Sequence, residues 1–211
     1  MLRLIKGPHL LKTWKIYEGE SNLYCVGDFF SGGTLYDYLK EHGRLTEAHS
    51  ISVMRQIIEA LAYLETQGLI HRDIKPENIL FTDKTLENAA LVDFGFATRK
   101  EEFKKLFTRC GTPGWVAPEV LADQDYNTAV DVYSAGLIFY FLLTKSNPFK
   151  NKSYTKLIKS NKSGTVDYGV FDSLELEKKP LSNLFLIHQY STCSNPCSIR
   201  TLPAGQEPRS C

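Results

Sequence analysis

The run His71-Arg-Asp-Ile-Lys-Pro-Glu-Asn78 places a carboxylate, an ammonium and an amide close together, at Asp73, Lys75 and Asn78. A second carboxylate follows in Asp93-Phe-Gly95, and beyond it stands Gly111-Thr-Pro-Gly-Trp-Val-Ala-Pro-Glu119. Asn78 and Asp93 offer hard oxygen ligands of the kind that suit Mg²⁺. Lys75 is a compact cation that can neutralise an anionic group beside it. The combination suits metal-assisted handling of phosphate. Such handling has to be local, because 25 Lys+Arg against 24 Asp+Glu leave a net charge of +1. No global basic field exists to hold a nucleic acid or an anionic membrane.

The elements that must position these groups are readable along the chain. Its 211 residues, 43% hydrophobic and 23% charged, have the composition of a globular domain rather than a disordered or fibrous chain. No repeat of solenoid or propeller period occurs. Residues 9–17 and 23–29 are short, aromatic-rich runs around the polar stretch Glu18–Asn22 and predict an antiparallel pair, which Ser31-Gly-Gly33 breaks. Thr34 and Gly43 bound a short helix as N-cap and C′ residue. After Thr46 a longer helix carries Ile51, Met54, Ile57, Ile58, Leu61 and Leu64 at helical spacing up to Gly68, a stripe expected to be core. Residues 79–81 and 90–92 form a hairpin-like pair around Thr82–Asn88. Ser134–Leu143 is half of the ~20 residues that span a bilayer and reads as part of a buried helix over 130–144. The loop before that helix exceeds 30 residues, a length usually functional in a compact domain. The motifs flank it.

The five cysteines (Cys25, Cys110, Cys193, Cys197, Cys211) are odd in number and crowd towards the end, which is not a disulfide framework. Met1-Leu-Arg-Leu-Ile-Lys6 lacks a sustained apolar region and a cleavage site. These features lead to the expectation of a cytoplasmic protein that engages neither membrane nor nucleic acid.

His-Arg-Asp-x-Lys-Pro-x-Asn, Asp-Phe-Gly and Ala-Pro-Glu, in this order and spacing, resemble the eukaryotic protein kinase family from about residue 1 to about residue 160. The fold that the resemblance implies is α+β and protein-kinase-like: a mainly helical large lobe plus the last strands of the small lobe. Residues 1–29 would be the remnant of the small lobe and hinge, 30–171 the large lobe with its catalytic loop and activation segment, and 172–211 a divergent tail expected to be disordered. The implied activity is transfer of the γ-phosphate of ATP to protein serine or threonine hydroxyls, with Mg²⁺. Lys75 and Gly111-Thr-Pro113 point to the Ser/Thr branch. Ser31-Gly-Gly33, Cys110-Gly-Thr-Pro113 and the run ending Asn147-Pro-Phe149 look most like the calcium/calmodulin-dependent group.

By the same resemblance, Asp73 accepts the proton of the substrate hydroxyl, Lys75 neutralises the transferred group, and Thr112 braces both. Asn78 and Asp93 hold the metal. Gly27, Asp28, Phe30, Glu77 and Leu80 lie on the nucleotide side, Asp28 and Phe30 through hinge backbone and Leu80 as the floor under the adenine. Gly27 stands where relatives carry a bulky residue, so a deeper apolar pocket is expected behind the base, with room for bulky adenine-like ligands. Glu77 also matches one acid by which basophilic relatives read arginine, but Thr34 and Phe141 replace the other two. Arg72 would pair with a phosphate on Thr108, placed there by an upstream activating kinase.

The resemblance also has gaps. The chain contains no Gly-x-Gly-x-x-Gly, no lysine-bearing strand before the hinge and no helix glutamate to pair with that lysine. Met1–His9 matches the end of the helix that carries the glutamate. Glu119 would normally pair with a buried arginine, and only Arg200 and Arg209 remain for it. The reading is of a catalytic core truncated at both ends. Its alternative is a catalytically inactive, pseudokinase-like scaffold or dominant-negative fragment.

Several residues have plain structural readings. His71 is expected to pack with Phe94 in a hydrophobic spine whose first-strand position is Thr13. Cys193, Cys197 and His188 have the wrong spacing for a common zinc site and lack a fourth ligand. The charged run 99–105 reads as a solvated loop.

Overall fold

The computed structural model describes residues 5–99, 110–149, 151–167 and 169–170. Strands β1 (Thr13–Glu18) and β2 (Leu23–Gly27) pair antiparallel, with Glu18 opposite Leu23 and Thr13 opposite Gly27. The turn closes through Gly19 N–H, which donates to Asn22 O at 2.8 Å. Both strands are shorter than the sequence runs that predict them, and β2 is exposed along its whole length. Residues 5–10 form no helix. They instead run beside the core: Leu11 N–H donates to Leu91 O at 2.9 Å and Leu91 N–H to His9 O at 2.8 Å.

The glycine pair after β2 is less of a break than expected. Strand β3 (Gly33–Thr34) forms one edge of a three-stranded sheet, pairing with β5 (Ile79–Phe81), which pairs with β6 (Ala89–Leu91). Thr34 then caps α1 (Leu35–His42), its Oγ1 accepting from Asp37 N at 3.0 Å, and Gly43 at φ 90 closes the helix. Thr46 caps α2 (Glu47–Thr66) in the same way, accepting from His49 N at 3.3 Å.

Helix α2 buries Val53, Met54, Ile57, Ala60, Leu61 and Leu64, together with Ser50 and Gln56. Ile51 and Ile58 do not belong to that face, being 42% and 40% exposed. At 3.6 residues per turn they sit more than about 100° round the axis from the centre of the buried stripe. Gln56 ties the helix to β6, its Oε1 accepting from Ala89 N at 2.8 Å.

Strand β4 (Leu69–Ile70) pairs with β7 (Thr98–Arg99), and a 3₁₀ turn (Pro76–Asn78) leads into β5. Helices α3 (Pro118–Leu121), α4 (Ala129–Thr144) and α5 (Tyr154–Ser163) complete the described elements. Helix α4 is buried on nearly every side, as an all-round apolar sequence requires. It packs against α2, which packs on its other flank against β6, so the core lies between the two long helices and the small sheet. The architecture is mixed α+β. No helix among the described residues is long and apolar enough to cross a membrane.

The corrected face of α2 gives a direct comparison. Ile57→Ala should cost about 2–5 kcal/mol, whereas Ile58→Ala should cost about 0.5 kcal/mol or less. Urea denaturation of the two variants measures the difference, and equal losses would contradict this orientation.

Candidate functional site

The segment that carries Asp73 is fixed from below. Asp131, buried in the first turn of α4, accepts from His71 N at 2.7 Å and from Arg72 N at 2.8 Å, one carboxylate oxygen to each. This grip accompanies a left-handed backbone at Arg72, φ 69. Burial pushes the Asp131 carboxyl above its usual range, opposed by the nearby His71 and by the two N–H donors. His71 is fully buried. Its Nδ1 accepts from Asp73 N at 3.3 Å, so Nε2 carries the proton donated to Val92 O at 3.0 Å. Burial holds its pKa below the ordinary value. The ring meets Phe94 edge-on, centroids 4.9 Å apart, in the packing expected of a structural histidine.

Around Asp73 the geometry is tight. Thr112 Oγ1 donates to Asp73 Oδ1 at 2.6 Å, Lys75 Nζ donates to Thr112 Oγ1 at 2.9 Å, and the same ammonium lies 2.7 Å from Asp73 Oδ2. Asn78 Nδ2 donates to Asp73 O at 2.8 Å and to its Oδ2 at 3.1 Å. Thr112 reaches this cluster because Gly111, at φ 101, passes directly over Arg72: an added Cβ would stand 2.6 Å from the Arg72 carbonyl oxygen. Only glycine suits both the conformation and the approach.

Asp93 completes the set from the other side. Asn78 O accepts from Val92 N at 2.9 Å, which places the following residue beside the 3₁₀ turn. Asp93 itself is left-handed, φ 63, and exposed, its Oδ1 accepting from Gly95 N at 3.1 Å. With Asn78 Nδ2 committed to Asp73, the Oδ1 of that amide is the atom left for a cation. An amide oxygen and an exposed carboxylate fit a hard ion that keeps waters and phosphate oxygens in its shell.

The remaining predicted residues are placed as follows. Arg72 Nε donates to Phe96 O at 2.7 Å, and the guanidinium also hydrogen-bonds Tyr126. Burial pushes the Tyr126 hydroxyl up to about 12, and burial raises the Cys110 thiol against the opposing pull of Arg72. The chain therefore returns beside Arg72 at Cys110, two residues after Thr108, which lies outside the described residues. Of the charged run 99–105, Arg99 lies in β7 opposite Leu69 rather than in a loop; residues 100–105, the expected tail 172–211 and its cysteines lie outside the described residues. Glu119 is half-buried and has an interaction partner.

Of the residues expected to face a nucleotide, Leu80 is half-buried in β5 opposite Ala90, and Glu77 is exposed on the 3₁₀ turn. Phe30 is half-buried between β2 and β3. Asp28 N–H is spent on Lys12 O at 3.2 Å, and its side chain accepts from Trp14 Nε1 at 2.8 Å, which leaves the Asp28 carbonyl for a ligand. The expected pocket at Gly27 is corrected. A Cβ there would meet the Lys12 carbonyl oxygen at 2.8 Å and Leu11 Cδ1 at 3.3 Å. The missing side chain leaves room for β1 to lean over β2.

Two features escaped the sequence reading. Asp131 is a lone acid at the head of an apolar helix, a signal present in the sequence. Asn161 is a fully buried amide on a helix whose sequence reads as polar, and nothing local marks it.

Comparison with known proteins now adds to the geometry. The protein kinase domain family matches residues 1–192. Calcium/calmodulin-dependent protein kinase type 1 of Macrobrachium nipponense is 36% identical over 169 residues, covering 80% of this chain and 49% of that protein. Calcium-dependent protein kinase 5 of Plasmodium berghei (strain Anka) is 34% identical over 184 residues, covering 86% of this chain and 33% of that protein. The chain thus spans about half the length of the first relative and a third of the second.

Two outcomes are expected. Gly27→Ala should force β1 and β2 apart, lowering the melting temperature and speeding amide exchange at Asp28; unchanged exchange there would refute the close approach. His71 resists protonation when folded, whereas the unfolded chain takes up that proton near pH 6.5. Stability due to neutral His71 is therefore present above pH 6.5 and lost as pH falls, by at most about 1.4 kcal/mol per unit. Urea midpoints between pH 7 and 5.5 should fall, with a flatter slope in His71→Gln.

Proposed function

The chain belongs to the protein kinase family, and from that membership we propose that it carries the catalytic core of a serine/threonine kinase, transferring the γ-phosphate of ATP to hydroxyls on protein substrates. The observation that supports this reading best is the Asp73–Lys75–Thr112 triangle, closed by contacts of 2.6, 2.7 and 2.9 Å. Phosphoryl transfer asks for positioning and for cations near the phosphates, with little covalent work from the protein. The triangle offers both.

In this reading Asp73 orients the incoming hydroxyl and takes its proton on a carboxylate oxygen. Asn78 fixes that carboxylate through two hydrogen bonds to the same residue. Lys75, held between Asp73 and Thr112, keeps its ammonium beside the group being transferred. Asn78 Oδ1 and Asp93 would hold Mg²⁺, which with ATP supplies the phosphoryl group and neutralises its charge. Gly27, Asp28, Phe30, Glu77 and Leu80 would lie on the nucleotide side, with the Asp28 carbonyl facing the base. Residues 1–29 would act as the hinge side and 30–171 as the catalytic lobe.

Regulation follows from Arg72. Cys110 lies close enough for its thiol to feel that guanidinium. A phosphate on Thr108, two residues earlier, would come within its reach and order the segment by charge-assisted hydrogen bonds. An upstream kinase would supply it. The similarity to calcium-dependent and calcium/calmodulin-dependent kinases supports placement in that group.

The test is transfer of ³²P from Mg-ATP to a serine/threonine substrate, paired with a thermal shift on adding Mg-ATP. Asp73→Asn should lower transfer by about 10²–10⁴-fold with the fold intact. A stable protein with neither transfer nor thermal shift would reject the enzyme reading in favour of a docking scaffold.

A further inference from the structure

The run from His9 to Leu11 is where the chain passes from the edge of the core into the β1–β2 ribbon, and His9 holds it with both backbone and ring. The His9 carbonyl accepts from Leu91 N at 2.8 Å, Leu10 is buried and bridges Leu91 in parallel register, and Leu11 N–H donates back to Leu91 O at 2.9 Å. The backbone at His9 is left-handed, φ 55, a conformation uncommon for a residue with a side chain.

The contacts of the ring carry chemical information. Nδ1 lies 3.2 Å from Ala89 O on β6, and Nε2 lies 3.2 Å from Glu59 Oε2 on α2. Both partners are acceptors, since neither a backbone carbonyl nor an ionised carboxylate has a proton to give. A neutral imidazole has one N–H and one lone pair, so it satisfies one of these oxygens and turns its lone pair on the other. The imidazolium donates to both. Only the protonated ring therefore ties this run to the helix and to the sheet at once.

The other charges nearby do not supply the same contact. On α2, Arg55 stands one turn before Glu59 but pairs with neither it nor His9, and the Tyr63 hydroxyl accepts from Lys6 N at 3.4 Å. Before β6, Glu87 is exposed. On the segment of His9 itself, Lys6 and Lys12 are exposed, with the Lys12 ammonium over the Trp14 ring. The Glu59 side chain is 49% exposed, so water screens the pair and its effect is a few-fold change in a local equilibrium.

We infer that His9 is a pH-sensitive latch: its protonated ring fastens the run that leads into the β1–β2 ribbon to α2 and β6 together, and loss of one proton releases one of the two contacts. The closed run offers the second proton a partner that the opened run lacks. Its stabilisation is therefore present at acid pH and lost as pH rises through the range where imidazole gives up its charge. The sign is opposite to that of buried His71, whose neutral form is the one the fold favours. The latch goes beyond the kinase reading and needs no turnover; on that reading, the ribbon it releases carries Gly27 and Asp28 on the nucleotide side.

Amide hydrogen exchange of the intact protein between pH 5.5 and 8 tests the latch, because histidines change charge in this range and ordinary carboxylates keep theirs. The quantity read is the protection factor at Leu11 and Leu91 divided by that at Ile57 and Leu61 in α2, which removes changes in global stability, the contribution of His71 included. In the unsubstituted protein this ratio should fall about two- to fivefold as pH rises. Glu59→Gln should flatten the fall, and His9→Asn, which still admits a left-handed backbone, should abolish it. A ratio that does not change with pH, or a fall that survives undiminished in Glu59→Gln, would overturn the inference. Should His9→Asn fail to fold, Glu59→Gln decides alone, since its side chain lies half in water.

Discussion

The site depends on one buried carboxylate. Asp131 points from the head of α4 into the turn at His71 and Arg72 and accepts both of their N–H groups. Removing a carboxylate from water costs several kcal/mol unless hydrogen bonds replace the lost solvent, and two backbone donors provide that replacement. A left-handed turn at Arg72 costs on the order of 1–2 kcal/mol for a residue with a side chain. The two hydrogen bonds offset both costs only when the carboxylate and the turn are in place together. The turn therefore has one stable form, and that form is set by a helix that cannot move without exposing its apolar surface.

From this turn the rest of the site follows through backbone as much as through side chains. His71 carries the position of the turn to Val92 and Phe94, and Asn78 O carries it to Val92 N–H. Asp93 then follows in a left-handed conformation that aims its carboxylate outward. Gly111 crosses over Arg72 from the far end of the long loop and brings Thr112 to Asp73. Residues far apart in sequence meet because each is one step from a fixed peptide group. The neutral state of His71 belongs to the same logic, since a proton on Nδ1 would remove the acceptor of Asp73 N–H.

Legibility in the sequence divides along this line. Thr34, Gly43 and Thr46 mark helix ends because caps act locally, and their hydrogen bonds are where the spacing puts them. The apolar run at 134–143 reads as a buried helix because burial on all sides needs no knowledge of neighbours. Asp73, Lys75, Asn78 and Thr112 are legible through their motif, and their convergence adds distances rather than identities. Ile57 and Ile58 show the limit of periodicity: adjacent isoleucines fit the same stripe within one position, and only packing against α4 and β6 decides between them. Gly27 shows another limit. An absent side chain looks like vacant space in a sequence, whereas here a strand carbonyl occupies it. Asn161 was invisible because its partners lie more than 40 residues away.

The two sides of the site rest on foundations of different strength. Asp73, Lys75 and Thr112 are tied to α4, α2 and the three-stranded sheet, all of which contribute buried core residues. Gly27 and Asp28 instead end a two-stranded ribbon whose Trp14 and Leu23 are 68% and 69% exposed. Such a pair is marginal by itself in water. Lysines over two of its aromatic faces, Lys12 above Trp14 and Lys15 above Tyr17, add modestly to its stability. The ribbon joins the core at its two ends: through the run from His9 to Leu11 along Leu91, with Leu10 buried and His9 on Ala89 O, and through Ser31 and Gly32, whose N–H groups donate to Thr82 O and Phe81 O. Local opening follows buried contacts and protected hydrogen bonds, so the exposed ribbon opens at a lower free energy than the buried segment around Asp73. The groups around Asp73 thus keep their arrangement while the ribbon moves, a division of stiffness that suits a site where one surface must hold still and the other must admit a ligand.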